Sequence, residues 1–183
     1  MKKILAILVL AIAGAASAAD YVSIDVEHVR GLQGQPNSTA QYIRAGKGFG
    51  DYQIGVQGRT AQTAKNARTN SSLEVYGSRN SVNIMGITPF IGAGHDNGPN
   101  GAGSYSYGLV GATYGLQVGP GTLLAGAKTR VGSTESSATT KQTLVYAAYR
   151  IPVAGQVSLN LTAARSSQTI KENSVGLGLT ASF

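Results

Sequence analysis

No cysteine occurs among the 183 residues, so the chain holds together without disulfides and carries no thiolate metal site. Beyond the first nineteen residues no apolar run approaches the roughly twenty residues that a transmembrane helix needs. No long segment shows a helical period, and no Lys/Arg run marks a nucleic-acid face. A phosphate-cradling glycine loop is also missing, and histidine is limited to His28 and His95, too few for a histidine metal cluster. Neither cofactor, metal nor nucleic acid is expected.

What is present begins with an export leader. Lys2 and Lys3 open it, Ile4 to Ile12 form its apolar run, and Ala16-Ser17-Ala18 supplies an A-x-A cleavage site. Residues 1–19 are therefore expected to be removed, leaving 20–183 as a single domain. The formal net charge of +7 falls to +5 without Lys2 and Lys3 (7 − 2). The remaining cations are scattered singly, and anionic lipopolysaccharide suits an exported chain better than nucleic acid does.

The domain is built from segments of period-two alternation. Val22, Ile24 and Val26 oppose Ser23, Asp25 and Glu27; Tyr52, Ile54 and Val56 oppose Gln53, Gly55, Gln57 and Arg59. Val157, Leu159, Leu161 and Ala163 oppose Ser158, Asn160 and Thr162. The last segment sets Val175, Leu177, Leu179, Ala181 and Phe183 against Gly176, Gly178, Thr180 and Ser182. The segments Thr39–Lys47, Val82–His95 and Thr143–Tyr149 are read as strands whose faces stay ambiguous.

Clusters of turn residues break the chain at Gly31–Ser38, Gly48–Asp51, Ala61–Ser71, Gly77–Ser81, Asp96–Ser104, Gly119–Gly121, Gly132–Thr140, Pro152–Gly155 and Ser166–Asn173. Long and short breaks alternate, as they do where one end of a barrel carries tight turns and the other carries loops. Nine breaks join ten strands. With Gly77–Ser81 and a neighbouring break removed, eight remain as the alternative. The fold class expected is a closed, antiparallel, up-and-down transmembrane β-barrel, since backbone groups in lipid must all be paired and only a closed sheet has no edge. An even strand number returns both termini to one side, the periplasm. Aromatics near the short-turn end (Tyr21, Phe49, Tyr52, Tyr76, Tyr149 and Phe183) read as an interfacial girdle.

The ending Val175-Gly176-Leu177-Gly178-Leu179-Thr180-Ala181-Ser182-Phe183 resembles the C-terminal signature of Gram-negative outer-membrane barrels. Thr88-Pro89-Phe90-Ile91-Gly92-Ala93-Gly94 is similar to a strand of the small opacity/OmpA-like barrel proteins. The resemblance implies residence in the outer membrane and a role for Phe183 as the signal read by the barrel-assembly machinery. Most members of that group have eight strands.

Candidate functional residues fall into two sets. Asp25, Glu27, Arg59, Glu74 and Lys128 sit on the polar face as lumen charges, and with Arg130 the cations either line an anion-biased pore or pair with the acids. Pairing is the favoured reading, because an unpaired interior charge is costly. Arg30, Lys65, Arg68, Arg130, Lys141, Arg165 and Lys171 form a basic outer rim suited to lipopolysaccharide phosphates. No enzyme is expected: His95-Asp96 is the sole echo of an omptin-type rim, and neither His28-Val29-Arg30 nor His95-Asp96-Asn97 provides the His-x-Ser of a lipid A deacylase. The expected role is that of a structural or surface-interaction barrel, monomeric, with a narrow channel for small solutes or ions as the alternative.

Overall fold

The computed structural model describes residues 20–32, 37–63, 69–97, 104–134, 139–168 and 172–183. Within them, alternation drives one sheet that closes on itself. The strands are β1 (Tyr21–Gly31), β2 (Ser38–Phe49), β3 (Tyr52–Thr63), β4 (Thr69–Arg79), β5 (Ile87–Asn97), β6 (Tyr105–Val118), β7 (Gly121–Thr134), β8 (Thr139–Ala154), β9 (Val157–Gln168) and β10 (Glu172–Ser182). Each pairs antiparallel with its neighbours in sequence, and β10 returns to β1, from Tyr21↔Ser182 to Gly31↔Glu172. Ten strands and up-and-down closure agree with the sequence reading.

The register fixes the barrel's shape. Stepping across the ladders from Gly48 gives Gln53, Ser78, Phe90, Gly111, Lys128, Leu144, Ser166, Glu172 and Gly31. Tyr21 pairs with Gly46, which puts Gly48 opposite position 19, so one circuit climbs from 19 to 31, a stagger of twelve residues. With about 3.3 Å per residue and about 4.8 Å between strands, that stagger tilts the strands by about 40° and gives a backbone cylinder roughly 20 Å across.

The two faces are the inverse of those in a soluble barrel. Ile24, Val26, Ile54, Val56, Leu73, Val75, Ile91, Val110, Leu161, Val175, Leu177 and Leu179 are exposed on the outside. Asp25, Glu27, Gln57, Glu74, Lys128, Asn160 and Thr180 are buried inside. Water does not tolerate so continuous an apolar exterior.

Three tight turns at the end where β1 begins and β10 finishes have two-residue loops, Gly50-Asp51, Gly119-Pro120 and Gly155-Gln156. Their first residue is a glycine at φ 61°, 56° and 51°, the position where a type II′ hairpin turn requires one. The fourth connection corrects the sequence reading. The break falls at 80–86 rather than Gly77–Ser81, and β5 starts at Ile87 rather than Val82. Apolar Val82, Ile84 and Met85 imitate a strand, but they are exposed in a turn held by polar contacts. Asp51 accepts from Ser81 N at 2.7 Å and Arg79 Nε at 2.6 Å, and Asn83 Oδ1 accepts from Gly86 N at 2.8 Å.

The strict alternation of long and short connections does not hold either. The five connections at the opposite end shrink to 32–37, 64–68, 98–104, 135–138 and 169–171, because strands continue through Ser/Thr-rich stretches such as Ser166–Gln168 and Thr139–Thr140. Threonine favours the pleated backbone even where its polarity suggests a loop. β8 likewise runs through Pro152, with a register shift between Pro152 and Ala154 that accommodates the missing donor.

Both carboxylates at the turn end are held below the usual aspartate range. Asp51 is held there by hydrogen bonds from the Ser81 hydroxyl and Arg79, and Asp20 by those from Lys47 and the Gly48 amide. A depressed folded pKa stabilises the fold above the unfolded value of about 3.9 and loses that contribution as pH falls through the folded pKa. The turn end is therefore expected to loosen on acidification below about pH 3.9. Amide hydrogen exchange of Ser81 and Gly48 against pH measures this, and Asp51→Asn should abolish the pH dependence at Ser81.

Candidate functional site

Inward positions line a cavity of about 1390 Å³. Its wall reaches from Asn83 and Gly86 in the turn at one end to Asn37 and Glu172 at the other. Geometry places each inward charge. Asp25 on β1 meets Arg44 on β2 in a close ion pair and accepts from Asn160 Nδ2 at 3.1 Å. Glu27, one inward position further, lies 3.9 Å from the same guanidinium. Glu74 on β4 receives Lys128 Nζ and Arg130 Nη2 of β7, each at 2.5 Å, and Tyr107 OH at 3.1 Å. Since β4 and β7 are not neighbours, these bridges cross the lumen instead of following the wall.

Gln57 on β3 joins the two clusters. Its Oε1 accepts from Arg44 Nε at 2.8 Å, and its Nε2 donates to Glu74 Oε2 at 3.2 Å. Arg130 continues the chain to Gln142 at 2.7 Å, and Asn160 ties the other end to Thr180 at 2.8 Å and Arg150 at 3.4 Å. The result is a belt of hydrogen bonds and ion pairs around the barrel interior. Among the described lining residues, five cations (Arg44, Arg59, Lys128, Arg130, Arg150) face five acids (Asp25, Glu27, Glu74, Asp96, Glu172).

Asp25, Glu27, Arg59, Glu74 and Lys128 all face the lumen, as the alternation requires. Four of them enter ion pairs; Arg59 instead lies over the Tyr42 ring at 5.9 Å and donates to its hydroxyl at 3.2 Å. Arg44 and Arg150 are charged members that sequence reasoning missed, and Gln57 and Asn160, placed on the polar face, were not read as parts of a network. Thr39–Lys47 carries Gln41, Arg44 and Lys47 on both parities, so alternation alone did not tell that Arg44 turns inward. Arg130, assigned to the outer rim, turns into the lumen and pairs with Glu74, its side chain 11% exposed, because it shares the parity of Lys128. Arg30, Lys141 and Arg165 are exposed at the end away from the tight turns, whereas Lys65, Arg68 and Lys171 lie outside the described residues, as does the expected leader at 1–19.

Two girdle assignments are corrected. Phe49, Tyr52 and Phe183 are exposed on the outside, but Tyr21 and Tyr76 point into the lumen. Their rings lie over Gly46 and Gly55 of the adjacent strand, where a Cβ would collide with them. The inward glycines therefore seat neighbouring side chains, as Gly176 and Gly178 do for Glu27 and Asp25, and do not stand for empty space. The lumen also holds a small apolar cluster, Val29, Ala40 and Ala61 with Tyr42, that the polar reading of this face did not anticipate. Phe183 closes the seam, its N–H donating to Asp20 O at 2.9 Å.

No protein-family model matches the chain, and no curated protein does. Among solved structures, the translocator domain of the autotransporter NalP from Neisseria meningitidis aligns over 98% of this chain and 96% of its own at a TM-score of 0.54. The fold is that of an outer-membrane β-barrel. At 10% identity the likeness is one of architecture. The barrel also aligns with Neisserial surface protein A (14% identity, 89% of this chain and 96% of that one, TM-score 0.47). A further match is the N-terminal β-barrel domain of Pseudomonas aeruginosa OprF (12% identity, 90% and 98%, TM-score 0.38).

Proposed function

We propose that the protein is an integral barrel of a bacterial outer membrane, with both termini periplasmic, and that its lumen is a narrow passage for small polar solutes or ions. The observation that carries this reading is the 1390 Å³ cavity, into which five cations and five acids project and whose wall reaches both ends of the barrel. A barrel serving only as a scaffold needs no such volume, since small barrels can be filled by side chains. The bridges from Glu74 to Lys128 and Arg130 cross the path, which would limit it to small solutes. Five cations balanced by five acids argue against strong charge selection, unlike the anion bias that Arg59, Lys128 and Arg130 suggest by themselves.

Planar-bilayer recording of the purified barrel tests the reading. Its folded state is checked first by the difference in gel mobility between unheated and boiled samples. Expected are reproducible small conductance steps and a reversal potential near zero in a salt gradient. Electrical silence from correctly folded protein would refute the passage.

A surface role is the second reading, favoured by Arg30, Lys141 and Arg165, which are exposed at the end away from the tight turns and suited to lipopolysaccharide phosphates. Phe183, on the outer face beside the β1–β10 seam, fits the part of an assembly signal read by the insertion machinery.

A further inference from the structure

The outer face of the barrel carries a polar constellation that the lumen does not use. His95 on β5 and Ser106 on β6 are direct cross-strand partners, and both side chains are exposed on the outside. His95 Nδ1 lies 3.0 Å from Ser106 Oγ, and His95 Nε2 lies 3.0 Å from Oδ1 of Asn97, two residues further along the same face. An amide oxygen only accepts, so Nε2 carries the ring proton and donates it to Asn97. Nδ1 is left to accept the hydroxyl proton of Ser106. Hydroxyl, base and orienting group thus stand in sequence, each separation within the roughly 2.6–3.2 Å that activates a nucleophile. Asn97 is itself held, its Nδ2 lying 3.5 Å from Ser71 Oγ and its Oδ1 3.4 Å from Ser104 Oγ.

Beside this constellation runs a groove of about 800 Å³ on the barrel exterior, walled by Leu73, Val75, Ala93, Gly108 and Val131 and bordered by His95 and Ser106 themselves. At Gly108 nothing lies within 4 Å of where a Cβ would stand, which deepens it. The groove is shallow and open along its length, so an occupant would lie along the barrel wall and not be enclosed by it. An apolar groove that ends on a polar Ser–His–Asn set, at the margin of a lipid-facing surface, matches an amphiphile with its chain along the groove and its ester at the polar end.

We propose that Ser106, His95 and Asn97 hydrolyse fatty acyl esters of membrane lipids, an inference that rests on reading the exterior as lipid-facing. Ser106 Oγ attacks the ester carbonyl carbon while its proton passes to His95 Nδ1. The adduct collapses, the carbon–oxygen bond to the lipid alcohol breaks, and the alcohol leaves with the proton from His95. Water, deprotonated by His95, then cleaves the acyl-Ser106 ester, releasing the fatty acid and restoring the hydroxyl. Asn97 is a positioning residue: it holds the imidazole in the tautomer that faces Ser106.

The test uses the full chain folded in detergent micelles, mixed with phosphatidylethanolamine or with lipopolysaccharide, and measures free fatty acid. Release is expected, and Ser106→Ala and His95→Ala should each lower it by about 10²–10⁴-fold. Asn97→Ala should lower kcat with KM little changed, and Asn97→Asp should restore it. Release from phosphatidylethanolamine assigns a glycerophospholipid substrate, and release from lipopolysaccharide assigns lipid A acyl chains. Should a variant not fold, fluorophosphonate labelling of the unaltered protein decides, since only an activated Ser106 is labelled. No release from either lipid, release undiminished by Ser106→Ala, or an unlabelled Ser106 overturns the proposal. Gel mobility and conductance do not depend on Ser106, so failure here is distinct from failure of the membrane-passage reading.

Discussion

Replacing Glu74 with alanine is expected to destabilise the folded barrel by about 3–5 kcal/mol, the cost of stranding buried cations. The Glu74 side chain is 1% exposed, and its partners Lys128 and Arg130 are 9% and 11% exposed, so each cation has little contact with lumen solvent in the place it occupies. Tyr107 OH and Gln57 Nε2 lose their acceptor in the same variant. Glu74→Gln should fall between the two proteins, because it keeps an acceptor oxygen for Tyr107 and removes only the charge. Urea unfolding followed by circular dichroism measures the difference. A loss below about 1 kcal/mol, the range of solvent-exposed pairs, would mean that the belt is hydrated enough to screen its charges. The same variant leaves five lining cations against four acids among the described residues, so any conductance it retains should shift toward anions.

The second large effect separates the two faces at one depth. Leu177 is the middle of β10 and 53% exposed on the outer face; its partner Leu161 is followed on β9 by Thr162, which faces the lumen. Leu177→Lys puts an ammonium at the centre of the apolar band, where it should cost about 2–4 kcal/mol and reduce insertion. Thr162→Lys brings the same charge inside, next to Glu27, whose Oε1 already accepts from Thr162 Oγ1 at 3.4 Å. There the cation finds a carboxylate and the lumen cavity that Thr162 lines, and the variant should fold nearly as well as the parent protein. Folded fractions in lipid vesicles, read from gel mobility, compare the two. Equal damage from both, or greater damage from Thr162→Lys, would contradict a lipid-facing exterior.

The amino-acid sequence by itself determined the class of fold. Period-two alternation with no helical competitor, breaks rich in Gly, Asn and Pro, and the absence of any spanning apolar run leave a closed antiparallel sheet as the way to satisfy every backbone group. It determined the inward parity of Asp25, Glu27, Arg59, Glu74 and Lys128 as well, since a strand's side chains alternate whatever lies beside it. Connection lengths were less legible, because Ser and Thr serve loops and strand ends equally well, and an apolar turn such as Val82–Met85 counterfeits a strand. Only the tertiary structure decided which charges meet. Glu74 and Lys128 are 54 residues apart and on strands that are not neighbours, so their contact follows from barrel closure and a twelve-residue stagger, not from any local spacing. The same holds for His95 and Ser106: nothing at either position announces the other, and the register of β5 against β6 brings a hydroxyl to an imidazole because antiparallel pairing sets side chains of one face directly opposite each other.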